Sequence, residues 1–231
     1  MAYVFPPPPT ASVPILGRAE RFPVHRIYCV GRNYEDHAKE MGFSGREPPF
    51  FFLKPADAVL VAEPGSPVEC PYPSQTHNLH HEIELVVAIG KGGRSITATN
   101  AASHIFGFAV GLDMTRRDLQ NDMKKQGRPW CIGKAFDHSA PIGVITPADA
   151  ARNIEAASIW LKVNGVERQR SPISALIWNI GEIIEHLSSA WALQPGDLIY
   201  TGTPAGVAAV NPGDTLEGGV DGLAPITVTI R

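Results

Sequence analysis

The chain has 231 residues, a formal net charge of −3, 44% hydrophobic side chains, 22 glycines and 21 prolines. That apolar share argues against a disordered chain, and the mild acidity lacks the basic surplus of a nucleic-acid binder. Gly and Pro stand well above their usual joint share of about 12%, which argues against a helix bundle because both break helices. The three cysteines, Cys29, Cys70 and Cys131, form no CxxC pair, which argues against a zinc finger or disulfide scaffold and suits a reducing, cytoplasmic setting. No apolar run approaches the ~20 residues that span a bilayer. The uncharged first 17 residues lack the basic start of a signal peptide and are interrupted by Pro6 to Pro9 and Pro14. We therefore expect no nucleic-acid or membrane partner. The expected organisation is an extended N-terminal arm over 1–23 and a single domain over 24–231.

In chain order, the four consecutive prolines of the arm favour polyproline II. Residues 26–30 read as a short strand ended by Gly31. Asn33 is a suitable N-cap and Gly42 a suitable stop for a helix over 33–41, two to three turns long and marginal unless packed. The aromatic run Phe50-Phe51-Phe52 reads as core in preference to a wall of a substrate site. Residues 82–89 (EIELVVAI) give a strong strand signal bounded by glycines. Residues 105–112 read as another strand, leading through Asp113 and a Thr115–Asp118 capping box into a helix over 116–125. Strands over 159–163 and 166–170 flank Asn164-Gly165, a hairpin signal. Ile173, Leu176, Ile177, Ile180, Ile183, Ile184 and Leu187 recur at steps of three and four. They predict a helix over 172–187 with Ser171 as cap and Pro172 in its first position. Strands over 197–200 and 226–230 follow, and Pro-Gly-Asp turns stand at 195–197 and 212–214.

Several residues carry possible chemistry. On a strand, Glu82 and Glu84 share a face about 6.6–6.8 Å apart. Two carboxylates ~4 Å apart repel by about 4 kcal/mol at an effective dielectric near 20. A hard divalent cation cancels this, and oxygen ligands suit Mg²⁺, Mn²⁺ or Ca²⁺. The same pattern also fits two solvated acids on an amphipathic strand. His80 and His81 raise a zinc alternative, but the usual His spacing motifs are missing. Asp113 ends a strand, either as a functional carboxylate or as a plain cap. Arg117 and Gln120, three apart, face one way on a helix, and His37 and Glu40 form a like pair able to share a proton or activate water. All four also fit a solvated helical surface. Lys134 lies in Gly133-Lys-Ala-Phe-Asp137. Gly202-Thr203-Pro204-Ala205-Gly206 is a turn, or a loop offering backbone N–H groups to an anion. It lacks the P-loop spacing, and no GxSxG elbow is present.

Six segments taken in order are more specific than any one of them. They are Gly31-Arg-Asn-Tyr34 with His37 and Glu40, Phe52-Leu-Lys-Pro55, His81-Glu-Ile-Glu84, Asp113-Met-Thr-Arg-Arg-Asp-Leu-Gln120, Lys134-Ala-Phe-Asp137, and Gly202-Thr-Pro-Ala-Gly-Val207. From about residue 25 onward the chain resembles the fumarylacetoacetate hydrolase family. The resemblance implies a β-rich α+β fold, the mixed β-sandwich roll of that family's C-terminal domain with a short lid helix, usually as a homodimer. It implies that Glu82, Glu84 and Asp113 hold a divalent metal, Mg²⁺ or Mn²⁺ with Ca²⁺ as an alternative. It makes His37 and Glu40 the water-activating dyad on the lid, Lys134 the active-site lysine, and Arg117, Gln120 and Thr203 the substrate contacts. Two departures stand out: the chain is too short for the extra N-terminal domain of the larger relatives, and Ala135 replaces a common Ser. Residues 26–34 and 46–52 look most like fumarylpyruvate hydrolases, the acylpyruvases of aromatic-acid degradation. The implied reaction is metal-dependent hydrolysis of a C–C bond in a small anionic 2,4-diketo acid, fumarylpyruvate giving fumarate and pyruvate. The alternatives are an oxaloacetate-type 3-keto-acid decarboxylase, a dienoate hydratase or isomerase, and a metal- or anion-binding protein without turnover.

Overall fold

The computed structural model describes residues 2–35 and 46–231. His37, Glu40 and most of the helix expected over 33–41 lie outside the described residues. Strands dominate an α+β architecture of mixed sheets. The largest sheet is eight-stranded. Its main path runs Phe50–Lys54, Ile27–Gly31, Leu198–Tyr200, Ile83–Ile89, Ile105–Leu112, Ala140–Ile142 and Val59–Val61, and Thr146–Pro147 also pairs with Ile105–Leu112. A five-stranded sheet orders Val166–Pro172, Ser158–Val163, Thr215–Val220, Ile226–Ile230 and Val68–Cys70. No helix among the described residues is long and apolar enough to cross a membrane.

Period-two alternation explains the layering. Every residue of Ile83–Ile89 is buried. Ile83, Leu85, Val87 and Ile89 face the larger core with Ile159, Leu161, Leu216 and Val228 of the five-stranded sheet. Val86 and Ala88 face a second core with Val13, Ile15 and Phe22. A strand apolar on both faces therefore needs two covers, and burying each Val, Leu or Ile contributes about 1.5–3 kcal/mol. Part of the second cover comes from residues 1–23: Ser12–Pro14 pairs antiparallel with Arg21–Pro23. Tyr3, Val4 and Phe5 are exposed. The expected hairpin forms, with Asn164 at φ 52° and Gly165 at φ 76°, the left-handed pair that an Asn-Gly turn supplies.

Two expectations are corrected. The helix read over 172–187 is instead the tail of the strand Val166–Pro172, a 3₁₀ turn Ile173–Ala175, an extended link, and the helix Ile180–Ala190. Asn33 holds the link open. Its backbone carbonyl accepts from Ile177 N at 2.8 Å, and its side-chain amide accepts from Trp178 N at 2.8 Å and donates to Trp178 O at 3.0 Å. The true cap is Asn179, whose side chain accepts from Glu182 N while Glu182 accepts from Asn179 N, both at 3.0 Å. The Thr115–Asp118 capping box is also absent. Arg117–Lys125 starts from Arg116 with no side-chain cap bond. Thr115 is taken up by the Asp113 carbonyl and the Lys134 ammonium, and Asp118 by the Thr76 hydroxyl.

A small sheet positions the site. Leu79–His81 pairs with Thr115–Arg116 on one side and Ala208–Val210 on the other. Residues 79–82, 113–117 and the 201–207 loop are thereby drawn to one end of the large sheet.

Candidate active site

Glu82 lies between the strands Leu79–His81 and Ile83–Ile89, Glu84 lies on the second, and Asp113 directly follows Ile105–Leu112. Antiparallel pairing sets Glu84 opposite Gly111, and Asp113 N donates to Glu82 O at 2.9 Å. The three carboxylates are only 5%, 2% and 1% exposed, and one oxygen of each lies within 4.8 Å of the others. Burial first, and then the charges of Asp113 and Glu82, push the Glu84 carboxyl well above its ordinary value. Gly202 N steadies the ionised form by donating to Glu84 Oε2 at 2.8 Å. The loop that offers an N–H to an anion thus serves a carboxylate of the protein itself.

Three buried cations surround the cluster. Lys134 Nζ lies 2.7 Å from Glu82 Oε2, 2.6 Å from Asp113 Oδ2 and 2.7 Å from Thr115 Oγ1. Burial alone lowers the Lys134 pKa, but Asp113 and Glu82 outweigh it and raise the net value, so the ammonium stays charged. Arg117 pairs with Glu82 and donates to Gln120 Oε1 at 2.5 Å. Both are buried and point inward from Arg117–Lys125, so the solvated-face reading of this pair is set aside. Lys54 Nζ lies 2.8 Å from Asp113 Oδ1 and donates to the carbonyls of Met114 and Lys134.

The donor set fits a hard divalent cation. Three buried, mutually repelling carboxylates within ligand reach of one another are the arrangement such an ion relieves, and oxygen-only ligation suits Mg²⁺, Mn²⁺ or Ca²⁺. Zinc through the histidines is not supported, since neither His80 nor His81 joins the carboxylate cluster. Burial and the Arg117 charge push His80 down to about 4. His81 Nδ1 is committed to Gln169 Oε1 at 2.9 Å. A cavity of about 30 Å³ is lined by the three carboxylates with Arg117, Gln120, Lys134 and Thr203. Seven of the nine expected site residues are therefore in one place, while His37 and Glu40 lie outside the described residues.

The aromatic run is corrected in part. Phe51 packs against the main core and Trp191, with ring centroids 6.1 Å apart. Phe50 and Phe52, on the opposite face of Phe50–Lys54, meet Trp130 at 5.3 and 5.8 Å. The same alternation puts Lys54 on the Phe52 face. A charged residue at that step from an aromatic, just before Pro55, was the signal that could have marked it.

Gln169 was also missed. It is buried on the largely exposed strand Val166–Pro172. Its amide accepts from His81 Nδ1 at 2.9 Å and Ile83 N at 3.2 Å, and donates to Thr203 Oγ1 and Pro204 O, each at 2.8 Å. It ties the carboxylate strand to the Thr203 loop. The polar run VERQRSP holds no signal that singles it out.

The family model described as fumarylacetoacetate (FAA) hydrolase C-terminal matches residues 26–231. The crystal structure of fumarylpyruvate hydrolase from Pseudomonas aeruginosa in complex with Mn²⁺ and pyruvate is similar at TM-score 0.97 and 54% identity, covering 99% of each chain. By sequence, the mitochondrial oxaloacetate tautomerase of Rattus norvegicus is 44% identical over 205 residues, 89% of this chain and 91% of that protein. The mitochondrial oxaloacetate decarboxylase of Dictyostelium discoideum is 39% identical over 198 residues, 86% of this chain and 89% of that protein.

Proposed function

The chain belongs to the fumarylacetoacetate hydrolase family, and from that premise we propose that it hydrolyses the C3–C4 bond of an anionic 2,4-diketo acid, fumarylpyruvate giving fumarate and pyruvate. The observation that carries the proposal is the charge balance of the site. Glu82, Glu84 and Asp113 face Lys54, Lys134 and Arg117. Three acids against three cations leave the cluster formally neutral. A divalent ion then brings it to +2, which matches a 2-keto acid whose carboxylate is joined by a developing enolate. The similarity to the Pseudomonas aeruginosa enzyme over nearly the whole chain supports the same substrate class.

Glu82, Glu84 and Asp113 would hold a divalent cation, Mg²⁺ or Mn²⁺, which would supply Lewis-acid chemistry at the substrate's keto-acid end. Arg117, Gln120 and Thr203 bind and orient the substrate's keto-acid end. His37 and Glu40 take a proton from water, and the hydroxide adds to the C4 carbonyl. The C3–C4 bond then breaks, its electron pair forms the enolate of pyruvate, and C3 takes up a proton. The acyl half leaves as a carboxylate. Lys134, charged and fixed by three acceptors, stabilises the negative charge that develops on oxygen.

The identity to an oxaloacetate tautomerase and an oxaloacetate decarboxylase favours a second reading, in which the same residues stabilise the enolate of oxaloacetate. A substrate panel with Mn²⁺ separates the two. Loss of the diketo enol absorbance with stoichiometric pyruvate supports hydrolysis. Enol–keto interconversion or CO₂ release from oxaloacetate, with acylpyruvates untouched, replaces it with the second reading. Inertness toward the whole panel leaves metal or anion binding.

A further inference from the structure

A second cavity, of about 540 Å³, opens beside the carboxylate cavity and shares Arg32, Phe52, Trp130 and Lys134 with it. Its wall is aromatic. Trp130 stands edge-on to Phe50 at 5.3 Å and tilted to Phe52 at 5.8 Å. Its charged groups are all cations. Arg32 lies 5.2 Å over the Phe50 ring, Lys134 Nζ lies 5.1 Å from the Phe52 centroid, and Arg128 stands at the exposed edge. No carboxylate is among its described lining residues. Arg128 is fixed through its backbone, whose N–H donates to Met123 O at 2.9 Å, while among the described residues its side chain makes no hydrogen bond or ion pair.

Aromatic walls take a flat, conjugated group, and a cation at the far edge takes an anion. We infer that this cavity is the acyl subsite and that Arg128 binds a carboxylate at the distal end of the substrate's acyl group. The inference rests on the diketo-acid reading of the neighbouring site and deepens it. A short 3-keto acid has no tail to reach this cavity. An acylpyruvate with a four-carbon, carboxylate-ended acyl group fills the aromatic slot and meets the arginine.

The test compares fumarylpyruvate with acetylpyruvate, which has the same diketo head and a methyl tail. In Arg128→Gln, the ratio of kcat/KM for fumarylpyruvate over acetylpyruvate falls about tenfold from the wild-type ratio, the size of a lost charge-assisted hydrogen bond. Arg128→Lys restores part of it. A ratio unchanged in Arg128→Gln overturns the inference. Binding of fumarate against crotonate, the same carbon skeleton with one carboxylate, to the Mn²⁺-loaded protein gives a readout that needs no hydrolysis. Arg128→Gln weakens fumarate about tenfold relative to crotonate, and an equal effect on both overturns the subsite. If the wild type hydrolyses neither diketo acid, the proposed function fails, and the fumarate–crotonate comparison still decides whether the cavity selects a distal carboxylate.

Discussion

Lys54 is fully enclosed, 2.8 Å from Asp113 Oδ1, and it also donates to backbone carbonyls that carry Lys134 and Asp113's neighbour Met114. It is one of three cations that make a neutral cluster of three buried acids. In Lys54→Met, Asp113 keeps Lys134 but loses one of its two ammonium partners, so the cluster is one positive charge short. The cost stays below the roughly 3–5 kcal/mol of a fully orphaned buried charge. A bound divalent cation offsets that loss, so Mn²⁺ raises the Tm of the variant by more than it raises that of the wild type. Thermal unfolding with chelator and with Mn²⁺ checks this, and equal increments would refute the charge-balance account. At this scale the sequence was readable where residue type and chemistry coincide. Glu82, Glu84, Asp113, Lys134, Arg117, Gln120 and Thr203 all line the one cavity. Gln169 escaped because it works from inside a polar edge strand, and only the fold turns that one amide inward while its neighbours face water.

Elements were readable where a local signal and long-range packing agree. The Asn-Gly hairpin and the strand Ile105–Leu112 stand where the sequence places them, and the helix Arg117–Lys125 lies within one residue of the expected 116–125 although its expected cap is absent. Ile173, Leu176 and Ile177 keep α-helical spacing without joining an α-helix, because Tyr34 bridges Leu176 and Asn33 bonds both Ile177 and Trp178. A partner more than a hundred residues away overrides a pattern that is locally sound. The helix therefore depends on Asn179, not Ser171. Asn179→Ala removes the reciprocal bonds with Glu182 and destabilises the protein by about 1 kcal/mol. Ser171→Ala leaves the denaturant midpoint in place, because among the described residues the Ser171 hydroxyl bonds only to Pro172 O, at 3.4 Å. Urea unfolding of the two variants distinguishes the caps, and a larger shift in Ser171→Ala would restore the longer helix.

The whole molecule places its carboxylates on a floor that no single segment builds. Leu198–Tyr200 runs parallel to Ile27–Gly31 and antiparallel to Ile83–Ile89, an insertion between distant strands that no local pattern announces. It fixes the near end of the sheet at Gly202, whose N–H holds Glu84. Gly111, across from Glu84, has no room for a side chain, since an added Cβ would lie 2.7 Å from both Tyr200 and Val86. The two cores clamp this sheet from both faces, and the three cations neutralise the acids from within the protein. We therefore predict that folding does not depend on the metal, unlike in small domains whose ligands come together only around their ion. Chelation is expected to leave the secondary structure and cooperative unfolding intact, while the proposed turnover of a diketo acid is lost. Adding Mn²⁺ back restores turnover and raises stability by mass action, about 2.7 kcal/mol at a hundred times its Kd. Circular dichroism, calorimetry and activity on one chelated sample check all three. Full turnover after chelation would remove the metal from the proposed chemistry. Unfolding on chelation would show instead that the buried acids rely on the ion more than on Lys54, Lys134 and Arg117.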